Sequence, residues 1–101
     1  MSLRQKQSRF VLMVALLIRH ANALGYEITF GCARCAKEGH HRPNSLHYIG
    51  LAIDLNLFKG GKYLTDGTGH DVLHDFWDSI GGAERIPGDL NHYAVEHNGR
   101  R

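Results

Sequence analysis

"SLHYIGLAIDLNLF", residues 45–58, sets one histidine and one aspartate into a run that otherwise reads as buried strand. On an extended chain Leu51, Ile53, Leu55 and Leu57 fall on one face, and Ala52, Asp54 and Asn56 on the other. The first face belongs to a core. The second presents a carboxylate beside a small alanine, and Gly50 just upstream permits a bend that returns His47 to the side of Asp54. Two ligand-type side chains on the open side of a sheet point to a metal site, but catalytic zinc takes three protein ligands. A third has to come from elsewhere in the chain.

Outward from this strand, "GYEITFG" (25–31) has the β-branched and aromatic content of a strand, and the segment 32–44 is polar, histidine-rich and irregular. On the other side "KGGK" (59–62) suits a tight hairpin, with "KYLT" (62–65) returning. "HDVLHDFWDSIGG" (70–82) places Val72, Leu73, Phe76, Trp77 and Ile80 on a helical stripe that stops at Gly81 and Gly82. A loop through Pro87 leads to "GDLNHYAVEH" (88–97), where His92, Ala94 and Glu96 alternate with Tyr93 and Val95 in a final strand.

The N-terminal segment "MSLRQKQSRFVLMVALLIRHANALG" imitates a secretory signal, with a basic start, nine apolar residues over 10–18 and Ala21-Asn22-Ala23 behind them. Arg19 and His20 interrupt that pattern. The same residues form a helix with Phe10, Val14, Leu17, Ala21 and Leu24 on one stripe and Gly25 as its stop. The apolar run is far short of the roughly 20 residues that span a bilayer, so a domain helix over 10–24 is expected, with neither a signal peptide nor stable membrane insertion.

Composition sets the outer limits. The chain of 101 residues makes one domain, 1–101, and its 43% hydrophobic and 22% charged content is that of an ordinary globular protein. A formal charge of +2, with the basic residues scattered, gives no argument for a nucleic-acid partner. The unusual feature is eight histidines, the side chain that most often binds metal and that titrates nearest neutrality.

If the last strand lies beside 51–58, His92 and Ala94 share a face with Ala52 and Asp54. His47, Asp54 and His92 then make a three-ligand set with a fourth position open for water, as in catalytic zinc. Asp89 lies three residues before His92. On a regular strand it would point away, but "PGD" reads as a turn, which lets the carboxylate reach over the open site as a general base.

These residues, Ser45-x-His47-x-x-Gly50-x-Ala52-x-Asp54 followed by Asp89-x-x-His92, resemble the M15 zinc peptidases. That family includes D-alanyl-D-alanine carboxypeptidases and phage L-alanyl-D-glutamate endolysins. The likeness covers most of the chain and is greatest to the compact phage and prophage members, through "LAIDLNLF", "FWDSIGG" and "DLNHY" in that order. It implies an α+β fold, a small antiparallel sheet with two main helices like that of hedgehog signalling domains. It further implies zinc on His47, Asp54 and His92, with Asp89 as the base. The substrate implied is the peptide stem of bacterial peptidoglycan, cut at the L-alanyl-D-glutamate or the D-alanyl-D-alanine bond after synthesis in the bacterial cytoplasm and release to the wall. Members also carry an upstream arginine that holds substrate; Arg34 is the nearest candidate, in a stretch that departs from the family's pattern. Ser45 either orients a ligand by a hydrogen bond or caps a turn.

Two rival metal constellations stand beside this set. His70 and His74, at i and i+4, approach a zincin pair but lack the glutamate, and Val72 and Leu73 are expected to pack inward. Cys32-x-x-Cys35 with His40 and His41 offers a zinc knuckle or a redox pair, though reduced, inert cysteines are expected in a cytosolic product. His97, Arg100 and Arg101 read as solvated. A reading from another class is a silent wall-binding module that keeps the fold and zinc and cleaves nothing; an intact Asp89 argues against it.

Overall fold

The computed structural model describes residues 1–32 and 45–101. Helix α1 (Leu3–Ala23) is followed by strand β1 (Glu27–Phe30), a short 3₁₀ helix (Leu46–Ile49), β2 (Ala52–Lys59), β3 (Lys62–Tyr63), α2 (His70–Ser79) and β4 (His92–Ala94). All strand pairs are antiparallel, and β2 is the centre to which β1, β3 and β4 each bind. The expected α+β class, two helices against a small antiparallel sheet, is what the chain adopts.

The alternation that opened the reading of the sequence holds along β2. Ile53, Leu55 and Leu57 are buried and Asp54 and Asn56 are half-buried, while Ala52 is covered on the other face as well. The strand begins at Ala52 because Leu51 N–H is still bonded to Leu46 O of the 3₁₀ helix, at 3.0 Å. At the far end Gly60 and Gly61 take φ values of 60° and 78°, the left-handed pair that a two-residue hairpin needs for its twist to match the strands.

Helix α1 starts seven residues earlier than its apolar stripe does. Ser2 and Gln5 form a reciprocal capping box, Ser2 Oγ accepting from Gln5 N–H and Gln5 Oε1 from Ser2 N–H at 2.8 Å. The stripe that enters the core is Phe10, Met13, Val14, Leu17 and Ala21. Leu24 was expected on it but is the C-cap residue and 41% exposed, because the helical period has already ended. No helix of the described residues is long and apolar enough to cross a membrane.

The second helix buries Leu73 and Trp77 of its expected stripe and packs Phe76 and Ile80 partly against the core, but is rotated toward its histidines. His70, Leu73, His74 and Trp77 are buried, at i, i+3, i+4 and i+7, whereas Val72 is 48% exposed. Trp77 anchors this contact: its ring meets Phe10 of α1 edge-on at 5.9 Å and Tyr93 of β4 at 5.9 Å, and its Nε1–H donates to Ala94 O at 2.9 Å. Of the C-terminal residues expected to be solvated, Arg101 is exposed, whereas His97 and Arg100 are half-buried. Lys6 Nζ lies 3.1 Å from His97 Nδ1, and Arg101 pairs with Glu84 at 3.0 Å.

The chain leaves α2 by passing over the indole, and Gly82 is what allows it. A Cβ at that position would stand 2.1 Å from Trp77 Cδ1, with no room for the buried ring to retreat. Gly82→Ala is therefore expected to destabilise the fold by about 3 kcal/mol, at the upper end of overpacking costs. Denaturant unfolding followed by far-UV circular dichroism measures this; an unchanged midpoint would show that the α2 and β4 contact is looser than described.

Candidate metal centre

Each of the three expected ligands is delivered by a different local device. His47 sits in the 3₁₀ helix, whose N-cap is Ser45: its Oγ accepts His47 N–H at 3.3 Å. Of the two roles open to Ser45, the cap is the one observed. Gly50 ends the turn at φ 69°, a left-handed conformation that a side chain would strain, and so turns the chain back into β2. Asp54 follows on β2, and the ladder places His92 of β4 directly opposite it. Residues that face each other across a ladder have neighbouring side chains.

The result is a compact group of donors. His47 Nε2 is 3.3 Å and His92 Nδ1 3.4 Å from Asp54 Oδ1, and the two ring nitrogens are 3.1 Å apart. A tetrahedral ion with bonds of about 2.0–2.1 Å requires donor separations of about 3.3–3.4 Å. The three edges match this spacing within a few tenths of an ångström. Both histidines are buried, with side chains 3% and 9% exposed against 19% for Asp54, so the group opens to solvent on the carboxylate side.

Electrostatics points the same way. Although Oδ1 of Asp54 is buried and within 3.4 Å of two rings, neither contact has hydrogen-bond geometry. A buried carboxylate oxygen without a hydrogen bond is costly, and a cation at the common focus of the three donors removes the cost. Burial by itself raises the Asp54 pKa, but His47 and His92 outweigh it and hold the carboxyl below the usual carboxylate range. The group is thus an anionic acceptor flanked by two imidazoles, and His47, Asp54 and His92 are the one set of three such residues close enough to hold a metal ion among the described residues.

Asp89 occupies the last position of a tight turn. Its N–H donates to Ile86 O at 2.9 Å, and its own carbonyl accepts His92 N–H at 3.1 Å. The backbone of Asp89 therefore helps to seat a ligand, while its side chain is exposed. Glu96 is exposed beyond the end of β4.

The rival sets come out differently. His70 and His74 do not converge on an ion: His70 Nδ1 lies 2.7 Å from the Tyr93 hydroxyl, and His74 Nε2 lies 2.8 Å from Leu90 O with its ring stacked 4.3 Å from Tyr93. They pack inward beside Leu73, which is buried as expected, and Val72 faces outward against the expectation. Cys32 is disulfide-bonded, against the expectation of reduced cysteines. Arg34, Cys35, His40 and His41 lie outside the described residues. The buried histidines and Tyr93 escaped a reading that counted apolar residues only, although 70, 73, 74 and 77 are a complete helical stripe. No family model, curated protein or solved structure matches the chain.

Burial holds His70 well below the usual imidazole range, at about 4, with His74 adding to the fall and Asp71 opposing it. The unfolded chain takes up this proton near 6.5 and the folded chain near 4, so the unfolded state binds more protons between those values and stability falls as pH drops through the window. In chelator-treated protein, denaturant unfolding of the wild type should weaken from pH 6.5 toward 4, and His70→Gln should flatten that dependence. Parallel profiles would show that His70 titrates as in the unfolded chain.

A second expectation concerns the metal. One divalent ion should bind per chain, a chelator should lower the melting temperature because the ion binds the folded state, and Asp54→Ala or His92→Ala should abolish both effects. Metal analysis and thermal unfolding test this; stoichiometric metal in both variants would rule the set out.

Proposed function

We propose that the protein is a zinc-dependent peptidase of the M15 type that hydrolyses an amide bond in the peptide stem of bacterial peptidoglycan, in the manner of a phage or prophage endolysin. The observation that carries this reading is the donor triangle of His47, Asp54 and His92, spaced for a tetrahedral ion and open on one side. Structural zinc sites are closed by four protein ligands, whereas catalytic ones keep a position free. Two imidazoles and one carboxylate are a borderline donor set that suits zinc. The α+β architecture and the order of the motif residues along β2 and β4 agree with the family resemblance.

Zinc bound by these residues supplies Lewis-acid polarisation of the scissile carbonyl and acidifies a water. The chain provides the rest. Asp89, whose carboxylate has no ion pair or hydrogen bond among the described residues, takes the water proton and returns it to the leaving amine. Its turn is bonded to the backbone of His92, so base and ligand are held in fixed relation. Asp54 and the two histidines hold the ion, and their burial keeps bulk water off the donor side. No serine or cysteine nucleophile is needed for this chemistry.

Digestion of purified peptidoglycan by zinc-loaded protein should release a new amino terminus, whose identity fixes which stem bond is cut. Asp89→Asn should retain one zinc and lose about 10²- to 10⁴-fold in turnover, the range of general-base assistance. Near-normal cleavage by that variant would remove Asp89 from the role. Zinc binding without any product would leave the silent wall-binding module instead.

A further inference from the structure

β4 pairs with residues 52–54 of β2 and β3 with residues 58–59, so the middle of β2 lies outside both ladders. A cavity of about 400 Å³ occupies that interval, and its walls include Asn56, Tyr63, Asp66, His70 and Asn91. It adjoins the metal centre at two places. Asn56 follows Asp54 on the same face of β2, and Asn91 immediately precedes His92.

Two of its walls are chemically committed. Asp66 is the one ionised side chain among the residues lining the cavity, which contribute no lysine or arginine. One of its oxygens accepts Thr68 N–H at 3.0 Å, leaving the other for a ligand. His70 is only 3% exposed, and its Nδ1 lies 2.7 Å from the buried Tyr93 hydroxyl. That phenol has no other partner among the described residues, and a buried O–H left without an acceptor is costly. The hydroxyl therefore donates to Nδ1. In a neutral imidazole the proton then sits on Nε2, so His70 offers the cavity an N–H donor with no protein acceptor among the described residues.

A ligand that satisfies both groups must bring an acceptor to His70 and a cation to Asp66. A lone ammonium leaves the imidazole N–H unpaired, a lone carboxylate meets Asp66 as a like charge, and a neutral amide can bond both groups but leaves the charge of Asp66 uncompensated. We propose that the cavity receives a substrate side chain ending in an amino-acid head group, a carboxylate and an ammonium on one carbon. His70 Nε2–H donates to the carboxylate, Asp66 accepts from the ammonium, and the amides of Asn56 and Asn91 flank the pair. This rests on the peptidase reading for the identity of the substrate as a peptide, and it selects stems whose diamino acid carries such a terminus over stems whose diamino acid ends in a plain amine.

The test uses two non-hydrolysable product fragments, γ-D-glutamyl-meso-diaminopimelate and γ-D-glutamyl-L-lysine, titrated calorimetrically into the zinc-loaded protein. The first should bind about 10- to 100-fold more tightly, as expected for one added hydrogen bond to a charged group. Asp66→Asn, at an exposed position and with an oxygen still able to accept Thr68 N–H, should weaken the diaminopimelate fragment and leave zinc content unchanged. His70→Phe should bring the two fragments to similar affinity; if that variant fails to fold, His70→Gln, which keeps a donor, should preserve the preference. Equal affinity of the wild type for both fragments, binding of neither, or a diaminopimelate affinity unchanged in Asp66→Asn would overturn the proposal. Peptidoglycan cleavage is scored separately: a preference for the first fragment without cleavage keeps the pocket and removes the peptidase reading, and cleavage with equal fragment binding does the reverse.

Discussion

Three lone-pair donors, two imidazole nitrogens and a carboxylate oxygen, stand 3.1 to 3.4 Å apart at one buried point. The two ring nitrogens bond each other, but among the described residues Asp54 Oδ1 is left without a hydrogen bond of acceptable geometry. A protonated histidine can balance the charge, but one proton cannot serve three donors. A cation can. Three local devices bring together a group that could hold an ion: a cap at Ser45, a left-handed turn at Gly50 and a strand register that sets Asp54 against His92. With an ion bound there, stability and metal affinity would be two readings of one equilibrium.

That register is not secured by β4 itself. A strand of three residues, His92–Ala94, contributes too few ladder bonds to hold its place alone. Helix α2 secures it. Trp77 Nε1–H binds Ala94 O, His74 contacts Leu90 O just before the strand, and the Tyr93 ring is enclosed by His70, His74 and Trp77. The connecting loop is tied as well: Ala83 N–H donates to Ala94 O at 2.8 Å, and Arg85 reaches back to Asp75 at 2.7 Å and Asp78 at 3.3 Å. The salt bridges are exposed and contribute little by themselves; the indole and the buried phenol do most of the holding.

The sequence made the strand and its ligands legible because one signal, alternation with a misplaced aspartate, carried both. Leu55 and Leu57 declare a core face, and Asp54 cannot share it. The second helix was legible as a helix and only in part in its orientation, since Leu73 and Trp77 are buried as expected. Val72 looks like core by hydropathy and is outside, while His70 and His74 look like surface and are inside, because Tyr93 and Leu90 O supply the partners that make burial of an imidazole tolerable. Those partners lie 16 or more residues away, beyond the reach of any local pattern. The early start of α1 was legible in principle, since Ser2 and Gln5 stand at capping-box spacing, whereas the apolar stripe begins only at Phe10.

The two faces of β4 consequently do different work within three residues. His92 turns to the donor group, and Tyr93 turns to α2, where it sets the tautomer of His70 and hence the character of the cavity beside the metal centre. A slip of one residue would exchange them. Tyr93 would face Asp54, an imidazole would enter the aromatic stack, and both the donor triangle and the Nε2–H of His70 would be lost together. Because one short strand fixes both, the packing of Trp77 against Ala94 and Tyr93 is not background stability but the element that keeps the donor triangle and its neighbouring cavity in a single register.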